Sequence, residues 1–337
     1  MATLSTIREW HNVDLATFRD EIVPTEQPAV LRGLVRHWRA VQIGLESPAA
    51  QCDYLKRFDC GGVVKTLLGP STIKGRFFYL DDMSGLNFER KEEPLRDAID
   101  RLLSHLDDPC PPAIALQAAS VQNYLPGFPE ENVNPLLDAS VAPRIWIGNA
   151  ITVATHFDPM ENIACVASGR RRFTLFPPDQ ISNLYVGPLE LTPAGAPVSL
   201  VSVTSPELER FPRFKDALAA AQTADLEPGD AIYIPYLWWH HVESLERFNV
   251  LVNYWWDRAP GVFGVPFISI YHGMMALSAL PADQRRAWRA VFDHYVFRLH
   301  GEPSAHLPQG HEGIVAPMTP ELARKVKAML IDALGRP

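Results

Sequence analysis

The chain has 337 residues, of which 47% are hydrophobic and 21% are charged. This composition is that of a globular protein and excludes a disordered or fibrous chain. With 31 basic and 39 acidic residues, the net charge of −8 offers no electrostatic surface for general nucleic-acid binding, so we expect no nucleic-acid partner.

The four cysteines are scattered along the chain at Cys52, Cys60, Cys110 and Cys165, without CxxC spacing. Neither a zinc ribbon nor a disulfide framework is therefore indicated, and we predict a reducing compartment. The N-terminus has no basic leader followed by an apolar run, and no stretch of about 18 apolar residues occurs that would cross a membrane. We expect a cytoplasmic protein without a membrane partner.

The first 111 residues mix helix and strand signals. ATFRDEIV, SPAAQCDYLKRF and EPLRDAIDRLLSHL predict helices, and QPAVLRGLV predicts a short strand. Ser47 followed by Pro48 is a typical helix start. In the third helix Leu95, Ile99 and Leu102 fall on one face. We interpret residues 1–111 as α+β cladding that belongs to the same domain as the residues after it.

Residues 112–260 contain short apolar or alternating runs separated by glycine and proline turns. These runs are IALQAA, RIWIGNA, ITVATHF, NIACVAS, RRFTLFPP, AIYIP and FNVLVNYWW. Such spacing predicts an antiparallel barrel or sandwich. The 30 prolines along the chain also favour short strands over long helices. A stretch of helical composition, SPELERFPRFKDALAAAQ, interrupts the predicted strands.

Residues 261–337 predict amphipathic helices. In PADQRRAWRAVFDHYVFRL, apolar residues recur at helical spacing at Trp288, Phe292, Tyr295 and Leu299. TPELARKVKAMLIDAL begins with Thr319, a suitable N-cap, followed by proline at the first helical position. These helices would cover their apolar faces either on the barrel or on a second copy of the chain, and the pattern does not decide between the two.

The segment THFDPMEN places His156 and Asp158 two residues apart. On a strand these two side chains would project from one face, with Phe157 on the other. A histidine and a carboxylate side by side on a rigid element are half of a metal site. A buried ion pair between the two residues is the alternative interpretation.

The segment LEPGDAIYIPYLWWHHVESL supplies candidates for the other half. A PGD turn and the strand AIYIP precede His240 and His241. Only one of two consecutive strand residues faces inward, and that one would complete a set of two histidines and one carboxylate. Such a set leaves three neighbouring positions of an octahedral Fe(II) open, although the ligand types alone do not exclude zinc or manganese.

The predicted strand RRRFTLF would place a positively charged side chain in the barrel interior that contains the candidate metal ligands. If Phe173 and Leu175 face the core, alternation places Arg171 on the same inward face. The residues expected to face outward are Arg170, Arg172 and Thr174. A buried arginine without a partner is costly, so an anionic ligand is its expected counterpart.

Four ordered motifs now resemble a known family. HFDPMEN, GRRRFTLFPPDQ, PGDAIYIPYLWWHHVES and VNYWW are similar to the JmjC-type, cupin-like branch of the Fe(II)- and 2-oxoglutarate-dependent oxygenases, notably to relatives of the asparaginyl hydroxylase of hypoxia-inducible factor. Several ordered motifs are far more specific than one HxD. The resemblance implies a mainly β fold with a double-stranded β-helix (jelly-roll) core, flanked by the N-terminal α+β cladding and the C-terminal helices.

The resemblance also implies roles for individual residues. His156, Asp158 and His240 would bind Fe(II), and His241 would be a neighbour that does not bind the metal. The residues expected to form the 2-oxoglutarate pocket are Asn162, Arg171, Asn253, Thr155 and Trp255.

Three positions depart from the family pattern. Close relatives commonly have lysine where this chain has Arg171. They have a threonine three residues before the first histidine, where this chain has Val153, and a tyrosine whose position we align with Ala115. The loss of two hydroxyl donors bears on the pose of 2-oxoglutarate and not on the metal site.

These observations predict an enzyme, a 2-oxoglutarate-dependent dioxygenase that uses Fe(II) and O2. It would hydroxylate a protein side chain or a small molecule while converting 2-oxoglutarate to succinate and CO2. The alternatives are a metal-dependent cupin enzyme that does not use 2-oxoglutarate, or a non-catalytic binding module on the same fold. The resemblance further implies a homodimer formed through the C-terminal helices.

Overall fold

Strands dominate the first three quarters of the chain, and helices the last quarter. The computed structural model describes residues 4–259 and 264–335. In chain order the strands are β1 (Ser5–Thr6), β2 (Arg8–His11), β3 (Ala29–Arg32), β4 (Val63–Gly69), β5 (Arg76–Phe77), β6 (Glu89–Pro94), β7 (Ala113–Ser120), β8 (Pro143–Gly148), β9 (Thr152–His156), β10 (Glu161–Ser168), β11 (Arg171–Phe176), β12 (Gln222–Leu226), β13 (Ala231–Ile234), β14 (Trp239–Ser244) and β15 (Asn249–Trp256). The α-helices are α1 (Leu15–Thr17), α2 (Arg39–Gly44), α3 (Pro48–Lys56), α4 (Leu95–Ser104), α5 (Val121–Tyr124), α6 (Phe128–Glu131), α7 (Phe214–Ala220), α8 (Pro266–Leu277), α9 (Ala282–Tyr295) and α10 (Pro320–Leu334). Short 3-10 helices lie at Val23–Thr25, Ser71–Ile73, Pro178–Asn183 and Gly313–Val315, and a π-helix lies at Phe18–Ile22.

The strands form two sheets. The six-stranded sheet has the order β1-β12-β11-β14-β9-β5, and the nine-stranded sheet has the order β2-β3-β13-β10-β15-β8-β7-β4-β6. From β8 to β15 the strands are divided between the two sheets, with β9, β11, β12 and β14 in one and β8, β10, β13 and β15 in the other, and their pairings are antiparallel. This arrangement is a jelly-roll, and the predicted fold class is confirmed.

Both faces of the nine-stranded sheet are buried at its centre, around β10. On β10, Ile163 and Cys165 belong to a hydrophobic cluster that also contains residues of α2, α3 and α4. The alternate residues Ala164 and Val166 belong to a second cluster, shared with Phe173 and other residues of the six-stranded sheet. Because successive strand residues point to opposite faces, one side of the strand faces the helices and the other faces the interior of the jelly-roll.

The N-terminal region packs helices against the nine-stranded sheet and also adds strands to both sheets. Helix α3 begins where expected, with the hydroxyl of Ser47 accepting a hydrogen bond from the Ala50 backbone N–H at 3.1 Å and proline at the first helical position. Strands β4 and β6 lengthen the nine-stranded sheet beyond β7. We did not predict these strands, because the residues of β6, ERKEEP, are charged and exposed along an edge.

Three predicted elements differ from the structure. The predicted ATFRDEIV helix is a short α-helical turn that continues as π- and 3-10 helix up to Thr25. The stretch SPELERFPRFKDALAAAQ is helical only at Phe214–Ala220, and its last residue already belongs to β12. The strand that contains His156 ends at that residue, so Asp158 lies beyond the strand.

The residues from Ala259 onward form a second unit. Within it α10 begins as predicted, because the hydroxyl of Thr319 accepts a hydrogen bond from the Leu322 backbone N–H at 3.2 Å. Helix α9 ends at Tyr295, so Leu299 is not part of its apolar face, and α8 was not predicted. Among the helices of the described residues, none is long and apolar enough to cross a membrane.

Candidate metal centre and cosubstrate cavity

The two histidines of the candidate centre lie opposite each other on paired strands. His156 ends β9, His240 is the second residue of β14, and the two are register partners in the antiparallel ladder. Their imidazole centroids are 4.2 Å apart. The strand pairing therefore places His240, and not His241, on the inner face that it shares with His156.

A β-bulge sets the direction of His156. His240 pairs with His156 and Val242 pairs with Val153, so two steps along β14 correspond to three steps along β9. The extra residue in β9 lets both Val153 and His156 line the interior. A regular strand would have turned one of the two away from it.

Asp158 completes the cluster from outside the strand. Its Oδ2 lies 3.6 Å from Nε2 of His240, and one ligand atom each from His156, Asp158 and His240 lie within 4.8 Å of one another. The expectation that His156 and Asp158 share a strand face is wrong, since the strand ends at His156. The carboxylate nevertheless reaches the same point in space as the two imidazoles.

The hydrogen bonds of the two imidazoles suit metal binding. Nδ1 of His156 is 2.9 Å from the carbonyl oxygen of Ala154, and Nδ1 of His240 is 3.1 Å from the carbonyl oxygen of Trp238. A carbonyl can only accept, so each Nδ1 carries the proton and each Nε2 presents a lone pair. Histidine ligands of metals are commonly oriented in this way. The donor set therefore fits a divalent transition metal.

Burial keeps the imidazole of His240 neutral. Burial, together with the neighbouring His156, lowers the pKa of His240 to about 4, against the opposing effect of the Asp158 carboxylate. The neutral form is the one that binds a metal. His241 lies on the opposite face of β14, and within the described residues neither of its ring nitrogens has a hydrogen-bond partner. Burial, and to a smaller extent Arg76, lowers the pKa of His241 to about 3.

A cavity between the two sheets opens onto the cluster. It measures about 50 Å³ and is lined by inward residues of both sheets, including the three candidate ligands. A space of this size has room for only a few water-sized molecules. A wider groove of about 720 Å³ lies elsewhere, along β4 and the 3-10 helix at Ser71–Ile73, and contains none of the three candidate ligands.

Arg171 lines the same cavity. The residue is 4% exposed, burial lowers its pKa to about 10, and its Nε has no hydrogen-bond partner among the described residues. Its neighbours Arg170 and Arg172 face outward and pair with Glu246 and Asp225 at 2.7 Å, as strand alternation predicted. In the described part of the chain no carboxylate pairs with Arg171. Its guanidinium is thus a buried cation that lacks a counter-ion.

The comparison with known proteins agrees with this geometry. The family model of the cupin-like domain matches residues 15–261, which is most of the chain. The chain belongs to the cupin-like domain family. The predicted resemblance to the JmjC-type branch is confirmed, since the relatives of this cupin-like domain include JmjC-type proteins.

Three relatives illustrate the extent of the similarity. The chain is 37% identical over 124 residues to the lysine-specific demethylase JMJ31 of Arabidopsis thaliana, which is 36% of this chain and 22% of that protein. It is 36% identical over 106 residues to the tRNA wybutosine-synthesizing protein 5 of Mus musculus, covering 32% and 30%. The corresponding protein of Danio rerio is 27% identical over 282 residues, covering 74% of each chain. The chain thus matches less than a third of the first two relatives.

Two asparagines of the cupin-like domain are joined in the cavity wall. Nδ2 of Asn253 donates to Oδ1 of Asn162 at 3.2 Å, and the indole N–H of Trp146 donates to Oδ1 of Asn253 at 2.7 Å. Both acceptors are thereby used, which leaves Nδ2 of Asn162 as the donor without a protein partner in the described chain. We did not single out Trp146. It alternates with Ile145 and Ile147, which are buried on the helix-covered face of the sheet, so alternation would have placed it on the cavity side.

The structure does not bring every predicted pocket residue to the cavity. Thr155 is 1% exposed, and in the part of the chain that the structure describes its hydroxyl has no hydrogen-bond partner. It is not among the residues that line the cavity. Ala115 packs with Leu67 and Phe77 in a separate hydrophobic cluster. Thr174 was expected to face solvent, but it is buried beside Thr223, with 3.4 Å between their hydroxyl oxygens. The outer face of β11 is therefore partly covered.

Proposed function

We propose that this protein is an Fe(II)- and 2-oxoglutarate-dependent oxygenase that hydroxylates a protein side chain or a small molecule. The observation that carries the proposal is that His156, Asp158 and His240 line one cavity together with Arg171, whose guanidinium has no carboxylate partner among the described residues. Two histidines and one carboxylate leave metal positions for a chelating 2-oxo acid and for dioxygen. When bound, the iron would supply dioxygen activation coupled to conversion of 2-oxoglutarate to succinate and CO2.

Residues of the cavity wall would bind and orient 2-oxoglutarate. Arg171 would pair with the distal carboxylate of 2-oxoglutarate, because a buried guanidinium gains most from an anion that replaces its lost hydration. The free N–H of Asn162 would donate to an oxygen of the cosubstrate. The apolar wall, which includes Val153 and Phe173, excludes water and strengthens these interactions.

The proposal specifies the substrate only by its class, a protein side chain or a small molecule. Two of the relatives are named for action on lysine or on tRNA, and these names describe those proteins. We propose hydroxylation as the chemistry and retain an N-methylated lysine peptide among the candidate substrates. The resemblance also supports pairing of two copies through the C-terminal unit, where many apolar side chains are exposed, including Met275, Leu299 and Ile331.

A metal-dependent cupin enzyme that does not use 2-oxoglutarate is the second candidate. The cavity is small, and Ala115 and Val153 present no hydroxyl where the family commonly has tyrosine and threonine. Both observations favour a smaller ligand on the same metal.

Anaerobic titration of the protein with Fe(II) and then 2-oxoglutarate separates the candidates. The oxygenase should develop the weak visible charge-transfer band of the chelated 2-oxo acid and should release succinate in air. A cupin enzyme that does not use 2-oxoglutarate should bind the metal without developing this band. A non-catalytic binding module should show neither the band nor succinate release. His240→Ala should abolish succinate release, whereas the matched His241→Ala should only reduce it. Equal loss in both variants would contradict the ligand assignment.

A further inference from the structure

Asp158 differs from the other two candidate ligands in how it is held. His156 and His240 lie on paired strands, and Nδ1 of each is hydrogen-bonded to a backbone carbonyl oxygen. Asp158 follows the end of β9, and its side chain is partly exposed. A carboxylate outside a strand rotates freely unless another group fixes it, so its orientation must come from a neighbouring element.

Trp255 donates a hydrogen bond to this carboxylate. It lies on the inner face of β15, and its indole N–H donates to Oδ2 of Asp158 at 3.1 Å. The same oxygen is the one that lies 3.6 Å from Nε2 of His240. The hydrogen bond therefore acts on the atom that faces the metal position.

The indole of Trp255 is itself held on two sides. The ring of Trp146 meets it edge to face, with 6.1 Å between centroids and 87° between planes. The guanidinium carbon of Arg144 lies 5.6 Å from the Trp255 ring centroid, and Arg144 is anchored by a 3.0 Å hydrogen bond to the carbonyl of Ala118. These contacts limit the rotation of the ring, so its N–H is presented in one direction.

We propose that Trp255 is a positioning residue that aligns the carboxylate of Asp158 for metal binding. The inference rests on the metal site of the proposed function. It goes beyond the resemblance, which places Trp255 only as an aromatic residue of the cosubstrate pocket. A hydrogen bond to an ionised carboxylate is stronger than a neutral one, and loss of such a partner of a metal ligand typically costs about 10- to 100-fold in metal affinity.

Trp255→Phe removes the N–H donor and keeps a ring in the same place. The matched control is Trp256→Phe, because Trp256 is the next residue of β15 and stacks on Tyr233 on the other side of the sheet. Isothermal titration of the metal-free proteins with Co(II) measures the affinity without any turnover. We expect a Kd about 10- to 100-fold higher for Trp255→Phe and a Kd within about twofold of wild type for Trp256→Phe.

A double-mutant cycle tests whether Trp255 acts through Asp158. In a background of Asp158→Ala, the further change Trp255→Phe should leave Co(II) affinity unchanged. An undiminished effect in that background would overturn the inference, as would wild-type affinity in the single Trp255→Phe variant. If Trp255→Phe fails to fold, 3-benzothienylalanine at position 255 removes the N–H while keeping the bicyclic ring, and the same fold-change is expected.

The outcomes also distinguish this inference from the proposed function. Wild-type protein that binds no Co(II) would overturn both. Wild-type protein that binds Co(II) and loses affinity in Trp255→Phe, but forms no succinate from 2-oxoglutarate, would support the positioning role and overturn the oxygenase.

Discussion

Replacing Arg171 by methionine should stabilise the ligand-free protein and weaken its binding of 2-oxoglutarate. Arg171 is buried without a carboxylate partner in the described chain, and burial lowers its pKa to about 10. Each tenfold change in a protonation equilibrium corresponds to about 1.4 kcal/mol, so keeping this guanidinium charged in the folded protein costs roughly 3 kcal/mol. Methionine removes this cost and retains a flexible apolar side chain that fills the space.

We expect the free energy of unfolding of the variant to rise by about 1 to 3 kcal/mol, which corresponds to about 3 to 9 °C in Tm. The pKa of Arg171 is lower in the folded than in the unfolded chain. Above about pH 10 the unfolded state therefore binds more protons, and the cost of burying the guanidinium declines as the pH rises. The stability difference between wild type and variant should be fully present at neutral pH and should shrink above pH 10.

Urea unfolding and calorimetric titration with 2-oxoglutarate measure the two effects. The variant should bind 2-oxoglutarate about 10- to 100-fold more weakly in the presence of Mn(II), because a hydrogen-bonded charge is lost. Arg172→Met on the same strand is the control. That side chain is half-exposed and paired with Asp225, so its loss should change stability by at most about 1 kcal/mol and leave binding intact. A destabilised Arg171→Met variant with unchanged binding would show that protein groups already satisfy the guanidinium.

Three further outcomes are expected. Trp146→Phe should lower the free energy of unfolding by about 1 to 3 kcal/mol in urea, because it leaves the buried Oδ1 of Asn253 without a donor; unchanged stability would mean that another group replaces the indole. Co(II) at 100 times its Kd should stabilise the wild type by about 2.7 kcal/mol in thermal unfolding, and EDTA should reverse the effect; an equal shift in His240→Ala would place the metal elsewhere. Light scattering coupled to size exclusion should give the mass of a dimer, and Leu330→Glu, on an exposed position of α10, should give a monomer; a monomeric wild type would refute pairing through these helices.

Strand alternation correctly predicted from the sequence that Arg171 faces inward, because β11 is a regular strand whose inward residues belong to the core of the jelly-roll. The same reasoning was incomplete at β9. Its bulge brings Val153 and His156 to one face, although they are three residues apart, and a period of two cannot anticipate an inserted residue. Thr155 was predicted to enter the cosubstrate pocket, and the structure leaves it outside the cavity.

The residue types and their spacing predicted an antiparallel barrel or sandwich, with His156, Asp158 and one of two consecutive histidines as candidate metal ligands. The resemblance of four ordered motifs to a known family then implied the jelly-roll and the choice of His240. Only the tertiary structure decided how these residues meet. His240 rather than His241 faces His156 because of the register of β14, and Asp158 is directed by a tryptophan 97 residues later in the chain. Pairing partners and hydrogen bonds of this kind depend on contacts between distant segments, and a local pattern contains no record of them.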